Sequence, residues 1–164
     1  MVNFDAKRTF SLAIIARSGF MHLTTPEQQR ETLLTIKKHL APDGVLSLNT
    51  FQPHPEYQAQ QMRTGPEDYS LRTEYINSEG KRERIYNAIG YDHATQIMSG
   101  NWKFETLDEK GNVIDTRIRP LVMRQTYTQE MRYLCELCGY EIVECDYQAA
   151  AGNSLIWILK KREE

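Results

Sequence analysis

Three of the four histidines in this 164-residue chain, His22, His54 and His93, carry a ring whose ordinary pKa suits proton transfer near neutrality. His54 lies between two prolines in "FQPHPEY" and reads as a loop residue, and nothing in the spacing selects one of the three as a base. Tyr57 and Tyr91 are hydroxyl side chains that could orient a nucleophile. Trp102, Phe104, Tyr75 and Tyr91 fall in stretches of strand-like alternation, where aromatic side chains either line a pocket or simply pack across strands. Cys135 and Cys138 have the C-x-x-C spacing, but the pair sits late in a helical pattern with no second pair and no nearby histidine. Buried small hydrophobes are the better reading than a zinc or redox site. With Cys145 the cysteines number three, which is no disulfide framework and suits a reducing compartment.

The elements that must position these groups can be read in order. Residues 11–16 are continuously apolar apart from Ser11, as expected of a strand covered on both faces in a parallel sheet. "TTPEQQ" supplies Thr25 as a helix N-cap, Pro26 at the first helical position and Gln28 to complete a capping box. Leu33, Ile36 and Leu40 share one face of the helix that follows, "APDG" at 41–44 ends it, and the next strand is Val45 to Phe51. Two strands joined by a helical crossover make a parallel pair, so the architecture is α/β. From Tyr69 to Gln125 the pattern becomes antiparallel, with strands at 69–77, 82–91, 95–107 and 112–124 and glycine-containing loops "NSEG" and "DEKGN" between the outer pairs. Thr126 and Thr128 offer caps for a second helix that Gly139 stops, and residues 140–147 and 154–159 are the closing strands.

Charge excludes some partners. Twenty Lys and Arg stand against twenty-two Asp and Glu, a formal net charge of −2, so there is no basic excess to hold nucleic acid or an anionic membrane. No apolar run reaches the length of a membrane span, and Asp5 and Arg17 spoil the weak likeness of the first residues to a signal peptide. A cytoplasmic protein is expected.

"FSLAIIARSGFMHLTTPEQQRETLLTIKKHLAPDGVLSLNTF" resembles the fourth strand, following helix and fifth strand of a class I S-adenosylmethionine-dependent methyltransferase of the small-molecule type. "RQTYTQEMRYLCELCGYEIVECDY" and "SLIWILKK" resemble that family's last helix and final hairpin, so the likeness covers nearly the whole chain. It implies a partial Rossmann-like sheet with an inserted four-stranded antiparallel sheet, the core from residues 1–60 and 126–164 and the insert, 66–125, a lid that sets substrate specificity. The implied cofactor is S-adenosylmethionine and the implied partner a small-molecule substrate. Ligands of such sheets lie beyond the carboxyl ends of the strands. By resemblance Asn3 and Phe4 border the adenine, Arg17 and Ser18 border the cofactor, His22 lies towards the substrate as the candidate base, and Tyr57, Tyr91 and Trp102 contact the substrate under the lid.

The likeness has a gap. The family holds its cofactor with a glycine-rich turn after the first strand and an acid closing the second, and neither motif occurs in this sequence. "MVNF" starts at the methionine of the family's "DM..F" segment, so the chain resembles the last two thirds of the enzyme and is expected to be weak or inactive alone. In the family's sheet order the strand at 11–16 would then be a bare apolar edge, which predicts a homodimer or a companion chain there. The strand ends "ARSG" and not with the Asn/Asp-Pro-Pro-aromatic signature of base-modifying amino-methyltransferases, which argues against DNA chemistry. A non-catalytic ligand-binding or scaffold module derived from the same fold is the alternative. An unrelated α+β ligand-binding domain is the third reading.

Overall fold

Phe10–Ile15 (β1) and Leu40–Phe51 (β2) pair in parallel, with Ala13 opposite Leu46 and Ile15 opposite Leu48, and the helix Pro26–His39 (α1) connects them. The computed structural model describes residues 2–51, 54–62, 65, 67–149 and 154–162. The chain falls into two compact units, one made of Met1–His54 and Met123–Glu164, the other of Pro55–Val122.

The first unit begins helix α1 by the expected chemistry. Thr25 caps it, its hydroxyl accepting from the Gln28 N–H at 3.2 Å, while Gln28 Oε1 accepts the Thr24 N–H at 3.0 Å. The stop differs from expectation. β2 begins at Leu40, directly after the helix, so "APDG" is not a free loop but part of the strand's irregular start, where Phe10 faces Leu40 and the next regular pair is Leu12 with Val45. Gly44 permits that return, since a Cβ there would stand 2.9 Å from the Ala41 nitrogen and the Phe10 carbonyl oxygen.

The second helix of this unit, Thr128–Leu137, is not capped by a threonine. Its N-cap is Tyr127, with no side-chain cap bond, because Thr126 Oγ1 is turned instead to the Gln29 amide. Gly139 ends it as expected, with φ +73° and its N–H donating to the Glu136 carbonyl at 2.9 Å. Tyr140–Asp146 and Ser154–Lys161 are the last two strands; the latter pairs antiparallel with both the former and β2. β1 therefore stands at one edge of a four-stranded sheet. Leu33 and Ile36 of α1 and Met131 and Cys135 of the second helix pack with Leu46, Leu48, Trp157 and Leu159 in one core. Burial pushes the Cys135 thiol up to about 12, as suits a packing residue and not a reactive thiolate.

The second unit opens with a helix absent from the sequence reading, Pro55–Gln61 (α2), which packs on Arg82–Asp92 (β4). Ser70–Ile76 (β3), β4, Ile97–Leu107 (β5) and Val113–Arg124 (β6) form the expected antiparallel meander in that order. The second helix of the first unit is α3, and its strands 140–146 and 154–161 are β7 and β8. No helix among the described residues is long and apolar enough to cross a membrane.

Candidate functional site

The carboxyl ends of β1 and β2 lie side by side, and the chain leaves β1 through two successive residues in the left-handed region, Arg17 (φ 53°) and Ser18 (φ 55°). Neither is glycine, so the turn carries a steric penalty that neighbouring contacts must offset. Asn49 on β2 supplies them. Its Oδ1 accepts the Ser18 N–H at 2.9 Å and its Nδ2 donates to Ser18 Oγ at 3.3 Å. The Gly19 N–H closes the turn on the Ala16 carbonyl at 3.0 Å, and Gly19–His22 then forms one 3-10 turn.

That turn is anchored from below and open above. Phe20 and Met21 are fully buried, and Met21 Sδ accepts the Phe51 N–H at 3.1 Å, which ties the end of β2 to the turn. His22 and Arg17 are exposed. Thr50, beside Asn49, is buried and accepts a 3.1 Å hydrogen bond from the Trp157 indole.

Behind the turn stands a buried polar bracket that sequence reasoning did not assemble. Gln29, 1% exposed, donates from Nε2 to the Leu23 carbonyl at 3.2 Å and to Thr126 Oγ1 at 2.9 Å. Its Oε1 accepts from Arg124 at 3.1 Å, and the same guanidinium reaches Glu130 Oε1 at 2.6 Å. Residues 23, 29, 124, 126 and 130 thus fix the exit of the 3-10 turn against the starts of α1 and α3. Sequence reasoning met Arg124, Thr126 and Glu130 only within "RQTYTQEMRYLCELCGYEIVECDY", as part of the likeness to the family's last helix, and not as a network with Gln29, which lies 95 positions from Arg124.

Asn3 and Phe4 are not brought to the strand ends. The segment from Val2 runs along α1, with the Val2 carbonyl accepting from Thr35 Oγ1 at 3.1 Å. Phe4 stacks on His39 at 4.9 Å between ring centroids, next to Leu40 at the opposite end of β2 from Asn49. An aromatic packing role describes it.

In the second unit, register decides which side chains share a face. Tyr91 is opposite Met98 and Trp102 opposite Asn87, so Tyr91 and Trp102 point from the same face of the sheet as Glu83, Asn87 and Phe104. Glu83 is a densely bonded group there. It accepts from Tyr75 Oη at 2.6 Å, Asn77 Nδ2 at 3.1 Å and Arg117 at 3.0 Å. The Tyr75 hydroxyl bond, with Asn77 and Arg117, holds the Glu83 carboxyl below its ordinary range, and the same bond pushes Tyr75 up. Tyr57 is half-buried on α2, and burial raises its phenol against the opposing field of Arg72. His93 lies exposed in the β4–β5 turn and His54 is exposed at the end of the first unit.

No family model matches the chain, and no curated protein matches it in sequence. Solved structures do match its fold over 98–99% of its length. The CcbJ methyltransferase of Streptomyces caelestis superposes with a TM-score of 0.72 at 19% identity, 99% of this chain covering 61% of that one. An S-adenosylmethionine-dependent methyltransferase of Clostridium acetobutylicum gives 0.74 at 11% identity, 99% against 62%. CalS10, an amino pentose methyltransferase of Micromonospora echinaspora solved with bound cofactor, gives 0.73 at 16%, 98% against 61%. The chain shares the fold of small-molecule S-adenosylmethionine-dependent methyltransferases and spans about three fifths of their length.

Proposed function

We propose that this chain is the strand-end wall and substrate-side sheet of an S-adenosylmethionine-dependent methyltransferase acting on a small molecule, with an amino sugar the first acceptor class to test. The observation that carries the reading is the Arg17–Ser18 turn held by Asn49 at the carboxyl ends of two parallel strands, where ligands of open α/β sheets bind. The amine acceptor is suggested by the amino pentose methyltransferase among the similar folds.

The donor set fits part of the cofactor. Ser18 Oγ accepts from Asn49 and keeps its own O–H to donate, and the exposed Arg17 guanidinium suits a carboxylate or hydroxyl oxygen, not a sulfonium. Arg17 and Ser18 would therefore hold its polar edge. When bound, the cofactor supplies an electrophilic methyl group for in-line displacement. The chain's own task is then to align an acceptor in a dry pocket. His22, exposed on the 3-10 turn, would take the acceptor's proton. With no glycine-rich turn in these 164 residues, the chain alone binds the cofactor weakly.

A second reading, a non-catalytic ligand-binding module, is favoured by one observation: Phe4 stacks on His39 and not at the strand ends, which reduces the cofactor-facing set. Calorimetric titration with S-adenosylmethionine and its demethylated product, followed by transfer of a labelled methyl to a panel of amino sugars, separates the two. Weak saturable binding lost in Ser18→Ala supports the enzyme reading. No binding at millimolar cofactor sinks it.

A further inference from the structure

Ser70, Asn87 and Trp102 stand in one row across β3, β4 and β5, each opposite the next in the register, so their side chains share one face of the second unit's sheet. We propose that this row is a binding subsite for an uncharged, hydroxylated ring such as a pyranose. Asn87 is 6% exposed, and its Oδ1 accepts from Ser70 Oγ at 3.1 Å. That bond leaves the amide nitrogen to face away from Ser70, and among the described residues Nδ2 has no hydrogen-bond partner. The Trp102 indole N–H has none either. Thr32 Oγ1 is the one fully enclosed side-chain polar atom without a partner among the described buried groups, so both of these donors reach the surface and can meet an acceptor from outside the chain.

The chemistry of the row matches a sugar hydroxyl. Ser70 Oγ keeps a lone pair to accept, Asn87 Nδ2 and Trp102 Nε1 donate, and a hydroxyl does both. Neighbouring strands lie about 4.8 Å apart, a spacing that a six-membered ring with its hydroxyls spans. The half-buried indole also offers apolar surface to the C–H face of such a ring. Two positions before Trp102 on the same face of β5 is Gly100, so no side chain of that strand stands against the indole on that side. Ile85 and Phe104, paired in the row on the other side, add apolar surface.

Charge selects a neutral ligand. The one carboxylate that the paired positions of β3, β4 and β5 place on this face is Glu83, and its oxygens are engaged by Tyr75, Asn77 and Arg117. Glu74, Arg82, Arg84, Lys103 and Glu105 lie on the opposite face, where Glu74 pairs with both arginines and Lys103 with Glu105. The row itself holds neither a cation for a phosphate or carboxylate nor a carboxylate for an amine. All of these residues belong to the second unit, and a sugar would bind them whether or not the first unit holds a cofactor. The inference is therefore independent of methyl transfer.

Proton–nitrogen correlation spectra of the whole chain, titrated with the methyl glycosides of glucose, galactose and xylose up to about 100 mM, test this directly. At least one glycoside should shift the Asn87 side-chain amide and the Trp102 indole N–H saturably, with a millimolar Kd. Asn87→Ala should weaken that binding about tenfold, and so should Trp102→Phe, which keeps an aromatic ring in the sheet and loses the donor. Asn101→Ala, beside Trp102 but on the opposite face, should leave it unchanged. Should Asn87→Ala lose its fold, Trp102→Phe decides the question. No shift at either side chain with any of the three glycosides, binding to Trp102→Phe as tight as to the parent, or sodium acetate moving the same two signals as strongly as a glycoside would each overturn the proposal.

Discussion

Ser18 and Asn49, 31 positions apart in sequence, are bonded to each other in both directions: the Ser18 N–H donates to Asn49 Oδ1, and Asn49 Nδ2 donates to Ser18 Oγ. The pair turns a strained exit from β1 into a fixed one, because Arg17 and Ser18 both occupy the left-handed region without being glycine. Asparagine suits the role since one planar amide offers an acceptor and a donor at once.

Asn49→Ala removes both bonds and should cost about 2 kcal/mol, at roughly 1 kcal/mol for each hydrogen bond. Asn49→Asp keeps an acceptor for the Ser18 N–H but loses the donor, and should fall between. Urea midpoints with an unchanged slope measure the difference. An Asn49→Ala midpoint equal to that of the parent chain would mean that the turn holds itself.

Arg124 and Glu130 form the charged arm of the bracket behind that turn, at 2.6 Å with the guanidinium 6% exposed. Glu130→Gln leaves a buried cation without its carboxylate, and the half-exposed position of Glu130 keeps the expected loss at about 2 kcal/mol, below that of a fully buried pair. Arg124→Met/Glu130→Gln should recover part of it, because no unpaired charge is left behind. A double-mutant cycle by thermal denaturation gives the coupling; additive losses would show that the two side chains do not act together.

Thr32 supplies a stabilising substitution. Its hydroxyl is fully buried in α1 and is the one side-chain polar atom without a hydrogen-bond partner among the described buried groups. Thr32→Val replaces it with a methyl of nearly the same shape and should raise stability by about 1 kcal/mol. Differential scanning calorimetry reads this as a higher melting temperature, and a fall would require a partner for the hydroxyl in solution.

Legibility in the sequence followed the range of the interaction. The continuous apolar run of β1, the Thr25–Gln28 capping box, the left-handed Gly139 and the turn glycines Gly80 and Gly111 are local patterns, and each appears where the residues point to it. α2 was not legible, because "PEYQAQQ" has no apolar repeat to mark a helix. Thr126 has the right type for a helix cap, yet the buried Gln29, 97 positions away, takes its hydroxyl and leaves Tyr127 at the cap. The Asn49 clamp has the same character: one polar residue in a strand acquires a role only once the parallel register sets it beside Ser18. Resemblance set Phe4 beside the adenine, and in the structure its ring stacks on His39, 35 positions away, a contact that no local pattern marks.

Acid should weaken the second unit through Glu83. Its carboxyl accepts from Tyr75, Asn77 and Arg117, and these bonds hold its folded-state pKa below the unfolded value of about 4.3. A depressed carboxylate adds stability that is fully present above the unfolded pKa and is lost as the pH falls through the folded one. The parent chain should therefore lose stability on acidification from the ordinary glutamate range downward, and Glu83→Gln should lose less over the same interval. Tyr75→Phe removes the largest cause of the depression, so its acid-dependent loss should also be smaller than that of the parent. Urea titrations at a series of pH values, followed by the amide exchange of β3 and β4, measure both. Equal pH slopes in Glu83→Gln and the parent would assign the acid sensitivity to other carboxylates, of which Glu74, paired with Arg84 at 2.7 Å, is the first to substitute.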